Sequence, residues 1–252
     1  MNNNQMKVTF KIWRQDHSDA QGSLKAYIVD GLSEDMSFLE ALDYLNETLV
    51  LKNEKVIAFE SDCREGICGQ CGVFINGRAH GPHDHITTCQ LHMRSFKDGD
   101  TIVVEPWRAA AFPVIKDLVV NRTAFDRIME QGAFITAKTG TAAEANAILI
   151  SKDVADSAMD VAACIGCGAC VATCKNASAA LFTSAKINHL NKLPQGQPEA
   201  HKRLLDMTAQ MELENFGSCT FTAACEVECP AEISIRSIAE MNARYIKAKL
   251  FG

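Results

Sequence analysis

The stretch Cys164-Ile165-Gly166-Cys167-Gly168-Ala169-Cys170-Val171-Ala172-Thr173-Cys174 decides the reading of this chain. Its spacing, C-x2-C-x2-C-x3-C, wraps a short peptide around an iron–sulfur cluster. A second copy follows with one position altered: Cys219-x5-Cys225-x3-Cys229-Pro230. In two-cluster ferredoxins the fourth cysteine of a run ligates the other run's cluster. That swap assigns Cys164, Cys167, Cys170 and Cys229 to a 4Fe–4S cluster, and Cys174, Cys219 and Cys225 to a second cluster. Aligning the two runs puts the missing ligand of the second copy at Thr222. A hydroxyl is a poor iron ligand beside a thiolate. A cubane with one corner unligated loses that iron, so the second cluster is expected to be 3Fe–4S.

A different cysteine set lies upstream. Cys63-Arg64-Glu65-Gly66-Ile67-Cys68-Gly69-Gln70-Cys71-Gly72, with Cys89 beyond it, has the C-x4-C-x2-C…C spacing of a 2Fe–2S cluster. Gly66, Gly69 and Gly72 suit a loop that needs positive φ angles and close backbone approach to an inorganic core. Backbone N–H groups of such a loop can donate to the sulfurs and raise the reduction potential. The three sets use all 11 cysteines and leave no thiol for nucleophilic catalysis. Zinc sites rarely take four such closely spaced cysteines from one run. His80, His83, His85 and His92 flank Cys89, but the four cysteines complete that site, so these read as hydrogen-bonded or solvated loop histidines.

The composition agrees with a globular electron carrier. The chain has 252 residues, 47% hydrophobic and 22% charged, enough for one large or two modest domains. A net charge of −6, with no Lys/Arg block, argues against nucleic-acid binding. No apolar stretch reaches the roughly 20 residues of a spanning helix. The first residues, Met1-Asn2-Asn3-Asn4-Gln5, lack the basic and apolar regions of a signal peptide. The expected place is therefore the cytoplasm, where thiols stay reduced and disulfides are rare.

Alternation over residues 7–13 and a β-rich run over 25–32 predict a hairpin. Phe38, Leu39, Leu42, Leu45 and Leu49 have helical spacing behind a Ser37 or Asp35 cap. Strands are expected at 56–59, at 72–77 with an Asn-Gly turn and at 101–105, with Cys89 carried on the segment 87–91. Beyond the prolines Pro106 and Pro113 the pattern turns helical, with no convincing strand. A Thr141-Ala142-Ala143-Glu144 capping box is expected to open one helix. Others are expected over 178–190, 199–216 (with Gly217 as C-cap) and 233–250, where Ile235, Ile238, Ala239 and Met241 share one face. The boundary falls near residue 110, giving a sheet domain over 1–110 and a helical domain over 111–252. No Gly-x-Gly-x-x-Gly, P-loop or His-Glu-x-x-His is present. Clusters in series without a substrate motif describe an electron wire.

In these three motifs and in the Thr222 gap the chain resembles the iron–sulfur subunit of succinate dehydrogenase and fumarate reductase. The resemblance covers nearly the whole sequence. It implies an α+β architecture: a plant-type 2Fe–2S ferredoxin-like (β-grasp) domain, then an all-α bacterial-ferredoxin-like domain. It implies a flavoprotein partner with covalent FAD, where succinate and fumarate interconvert, and no substrate site on this chain. Electrons would pass from FAD through the 2Fe–2S, 4Fe–4S and 3Fe–4S clusters to a quinone at a membrane anchor subunit, of a kind that can carry haem. The chain would then lie peripherally on the cytoplasmic side of the inner membrane.

Two departures matter. Many members have Pro after the fourth cysteine of the first run, where this chain has Lys175, and many ubiquinone-using members have tryptophans a few residues on, where this chain has none. No quinone pocket is therefore carried over, and menaquinone is the expected acceptor. Lys175 could face phospholipid or the membrane subunit. The alternatives are a fumarate reductase running in reverse and a freestanding multi-cluster ferredoxin. Soluble fumarate reductases that take electrons from thiols carry a further cysteine-rich domain, which is not expected here, since this sequence stops at Gly252.

The gap is directly testable. Low-temperature EPR of the oxidised protein should show a 3Fe–4S signal, and Thr222→Cys should convert it toward 4Fe–4S. Only four-iron signals from the native helical half would remove the basis of the alignment.

Overall fold

The computed structural model describes residues 5–136, 140–141, 143–144 and 146–251. Strand β1 (Gln5–Arg14) buries Met6, Val8, Phe10 and Ile12 on one side, as strict alternation requires. It pairs antiparallel with β2 (Ser23–Ser33) in the expected hairpin. Helix α1 (Phe38–Leu51) opens on a complete capping box: Ser37 accepts from the Glu40 N–H while the Glu40 carboxylate accepts from the Ser37 N–H. Its buried stripe lies across the sheet, with Phe38 meeting Phe10 edge-on at 5.8 Å between ring centroids. Strands β3 (Phe74–Ile75) and β4 (Arg78–Ala79) turn through Asn76 and Gly77, both at positive φ, as a tight hairpin demands. Strand β5 (Thr101–Glu105) then inserts between β1 and β3, parallel to β1 and antiparallel to β3. The sheet order is β2-β1-β5-β3-β4. This is the expected sheet-and-helix half.

One of the expected strands is absent. Residues 56–59 do not join the sheet, because side chains take their backbone partners. The Asn46 amide both accepts from the Ile57 N–H at 2.7 Å and donates to its carbonyl at 3.0 Å. The Ala58 N–H goes to Asp117 at 2.9 Å. Around Cys89 the chain forms a single 3-10 turn, Thr88–Gln90, which buries the thiol. Conversely, an unexpected two-stranded ribbon, β6 (Val114–Lys116) and β7 (Val119–Val120), follows residue 110. Its length of two to three residues leaves almost no alternation to read in the sequence. Asp117 in its turn is 1% exposed. The carboxylate accepts from Arg14 Nε (3.1 Å), the Gln15 N–H (3.0 Å) and the Ala58 N–H (2.9 Å). The connecting segment is thus fastened to the sheet.

The rest is helical: α2 (Thr123–Glu130), α3 (Lys152–Ala162), α4 (Ala169–Thr173), α5 (Ala180–Lys192), α6 (Ala200–Leu213), α7 (Ala224–Val227) and α8 (Arg236–Phe251). Helix α5 is central, packed against α3, α6 and α8. Its buried positions run almost all the way round, and Thr183, Ser184 and Asn188 are among them. The expected capping box at 141–144 opens no helix at Thr141, Ala143 or Glu144, and Ala142 lies outside the described residues. Ser151 caps α3 instead. On α8, Ile238 and Met241 are buried as expected, whereas Ala239 is exposed. Gly217 is not the cap of α6, which ends at Leu213, with Asn215 taking the positive φ. A Cβ on Gly217 would lie 1.9 Å from the Asn176 carbonyl oxygen, so glycine is needed for two chain arms to cross. Among the described residues no helix is long and apolar enough to cross a membrane.

The Asp117 contacts predict a large effect. Asp117→Ala strands the Arg14 Nε–H and two backbone donors, and should destabilise the folded chain by about 3 kcal/mol. An unchanged melting temperature of the cluster-loaded protein would show that the contact is not stabilising.

Candidate metal centres

The loop over 63–72 is bent by left-handed residues at Arg64, Gly66 and Gly69. That curvature points backbone donors inward. The Glu65 and Ile67 N–H groups donate to Cys63 Sγ at 3.3 and 3.5 Å. They hold the Cys63 thiol down at about 7, well below an ordinary cysteine. Cys68 lies within hydrogen-bonding reach of Cys63. On the other side Cys71 faces Cys89, with Cys68 also beside it. Burial, reinforced by Cys89, pushes the Cys71 thiol up to about 12. The Thr87 hydroxyl sits 3.2 Å from Cys89 Sγ. The four cysteines expected to act together are therefore adjacent. Gly72 serves a different end from the one expected: its φ is not positive, but a Cβ there would lie 2.6 Å from the Trp107 ring.

In the helical half, Cys164, Cys167, Cys170 and Cys229 line one small cavity, closed by apolar neighbours including Phe182 and Ile233. Burial pushes Cys167 up to about 12 and Cys170 well above its ordinary value. Cys229 is raised for the same reason, although the Ile233 N–H donates to its sulfur at 3.4 Å. The remaining three thiols form their own group, since Cys174 and Cys219 lie beside Cys225. Burial lifts Cys225 to about 11, and the Phe221 N–H donates to Cys219 Sγ at 3.4 Å.

The two runs share backbone geometry as well as spacing. Gly166 and Gly168 are left-handed, at φ +66° and +87°. Their counterparts in the second run are Phe221 and Ala223, also left-handed at +53° and +62°. Side-chain-bearing residues adopt that region only against a steric penalty. Thr222 stands between them and is exposed, in the place that Cys167 occupies in the first run.

The residues fit iron–sulfur cores on these observations. Cys164, Cys167, Cys170 and Cys229 are spread around one shared space rather than converging on a point. Thiolates are the ligands such cores take. The burial that penalises a bare thiolate would be offset by cationic iron.

The sequence reading missed the residues that join the two halves. Gly69 and Ile165, each in the middle of a cysteine loop, touch: a Cβ on Gly69 would lie 2.4 Å from the Ile165 carbonyl oxygen. Trp107 is buried between the halves and its indole N–H donates to the Cys167 carbonyl at 3.0 Å. Arg122 bonds carbonyls of both loops. Arg78 pairs with Glu228 at 2.8 Å, and the His85 ring donates to the Cys229 carbonyl at 3.0 Å. The other histidines also have hydrogen-bond partners: His80 with Thr88, His83 with Ser95, and His92 with the Gln90 carbonyl. Trp107 was the one joining residue with a local signal, a scarce indole just after Pro106 where the composition changes.

Residues 9–127 match the family described as a 2Fe-2S iron-sulfur cluster binding domain, and residues 160–233 match the 4Fe-4S dicluster domain. The chain is 25% identical to the succinate dehydrogenase iron-sulfur subunit of Bacillus subtilis, over 94% of this chain and 92% of that one. It is 27% identical to a fumarate reductase (CoM/CoB) subunit of Methanothermobacter marburgensis, over 86% of this chain and 39% of that one. The chain spans only 37% to 39% of the length of that protein and of two similar archaeal iron-sulfur proteins. Its fold matches a chain of the Mycobacterium smegmatis Sdh1 complex in the apo form, with a TM-score of 0.66, 21% identity and 98% of each chain covered. In this order, then, the chain carries a 2Fe-2S iron–sulfur cluster binding domain and a 4Fe-4S dicluster domain, and it is similar over most of its length to iron–sulfur subunits of succinate dehydrogenases and fumarate reductases.

Proposed function

We propose that the chain is the electron-conducting subunit of a succinate:quinone oxidoreductase. Cys63, Cys68, Cys71 and Cys89 hold a 2Fe–2S cluster; Cys164, Cys167, Cys170 and Cys229 hold a 4Fe–4S cluster; Cys174, Cys219 and Cys225 hold a 3Fe–4S cluster. The observation that supports these sets best is the grouping of all 11 thiols into the same three neighbourhoods that the spacing predicts. Such clusters, when bound, take up and release single electrons over a range of potentials set by hydrogen bonds and burial.

The chain's own residues supply those settings. N–H groups of Glu65, Ile67, Phe221 and Ile233 donate to ligand sulfurs and so favour the more negative, reduced state. Ile165, Phe182 and Ile233 keep water from the middle site. No side chain is assigned to substrate chemistry. That chemistry is given to an FAD-containing flavoprotein partner, and the quinone, with menaquinone preferred, to a membrane anchor subunit on the cytoplasmic face. Lys175, exposed beside Cys174, suits that anchor or a lipid phosphate. The division into 1–110 and 111–252 belongs to the same reading. A second direction, fumarate reduction, is favoured by the similarity to the Methanothermobacter protein named as a fumarate reductase.

The shared-ligand arrangement makes a sharp demand. Cys229→Ser should disturb the 4Fe–4S signal while leaving the 3Fe–4S signal intact in EPR, and the opposite pattern would reject the swap. The native protein should leave detergent-solubilised membranes with a flavoprotein. Elution alone from the soluble fraction would overturn the respiratory reading. Redox titration of the three centres against menaquinone then fixes the direction.

A further inference from the structure

Arg122 lies at the one place where the two cysteine loops meet. Its guanidinium donates to the Gly69 carbonyl at 2.6 Å, between Cys68 and Cys71. The same nitrogen donates to the carbonyls of Cys167 at 3.1 Å and Gly166 at 3.3 Å. The other terminal nitrogen reaches Gln70 Oε1 at 2.5 Å and Glu60 Oε2 at 3.2 Å. The side chain is 13% exposed, so water screens it only partly. Arginine's planar fork holds the loop carbonyls on one nitrogen and the Gln70 and Glu60 side chains on the other, a span that a lysine's compact charge does not offer. Lys186 lines the same cleft, but it bonds only the Cys164 carbonyl, at 2.7 Å, and so touches one loop alone. Asp126, from α2, also lines the cleft.

We infer that Arg122 is a positioning residue for electron transfer between the first two centres, fixing the spacing of their loops and raising both potentials together. The inference rests on the ligand sets proposed above. With clusters bound at both sites, one electron would leave the Cys63/Cys68/Cys71/Cys89 centre and enter the Cys164/Cys167/Cys170/Cys229 centre, with no bond made or broken. Each reduction adds negative charge beside the same fixed cation, which stabilises the reduced form at both sites. The Glu60 carboxylate offsets part of that charge.

The test uses the full-length, cluster-loaded protein with EPR-monitored redox titration and power saturation. Arg122→Gln should keep full iron and sulfide content, lower both midpoint potentials, and weaken the magnetic interaction between the two reduced centres. Arg122→Lys should restore the potentials toward wild type but not the interaction. Lys186→Gln should lower the 4Fe–4S potential alone. Glu60→Gln should raise both potentials, and it decides the matter if Arg122→Gln loses its clusters. Unchanged potentials in both Arg122→Gln and Glu60→Gln, or a shift at one centre only, would overturn the inference. A wild-type protein lacking 2Fe–2S or 4Fe–4S signals would instead overturn the ligand sets, and the inference with them.

Discussion

The carbonyl of Ile165 lies against Gly69 so closely that no side chain could be accommodated there. This contact brings one cysteine loop from the sheet half against one from the helical half, and much of the structure serves to hold it. Asp117 fastens the connecting ribbon to the end of β1. Trp107 fills the seam and ties it to the Cys167 backbone. On the far side, Arg78 and His85 reach from the sheet half to Glu228 and the Cys229 backbone. On the proposed function, in which electrons cross from one loop to the other, this seam is where spacing matters most.

The second cysteine run shows how an internal repeat can outlast its glycines. The spacing of Phe221 and Ala223 repeats that of Gly166 and Gly168, and so do their backbone angles. Left-handed φ at an alanine costs about 1 kcal/mol or more. Thr222 thus sits in a loop whose backbone matches the one that presents Cys167.

Most of the candidate site was legible because cysteine spacing is itself a three-dimensional statement. The hairpin β1–β2 and helix α1 were legible because each buries one face and so leaves a period in the sequence. What escaped detection had no period. The 56–59 segment has strand-like residues, but Asn46 and Asp117 captured its backbone groups from remote positions. The β6–β7 ribbon is too short to alternate. Arg122 is a single cation in an ordinary loop, and its role comes entirely from carbonyls that lie far away in sequence. Gly217 was assigned to a helix end because glycine is common there, whereas the crossing with Asn176 is what requires it.

That crossing also sets an order of events during synthesis. The arm after Cys174 and the arm before Cys219 pass within touching distance, and the Asn176 amide holds the later arm through the Ser218 carbonyl and Thr220 hydroxyl. On the proposed ligand sets, a nascent chain can close its first centre once Cys89 has left the ribosome. Neither centre of the helical half can close until the ribosome has passed Cys225 and Cys229. The emerging polypeptide must therefore carry open thiols at Cys164, Cys167, Cys170 and Cys174 through much of its elongation. On those ligand sets the thiols of the first centre are complete earlier in the chain than those of the other two.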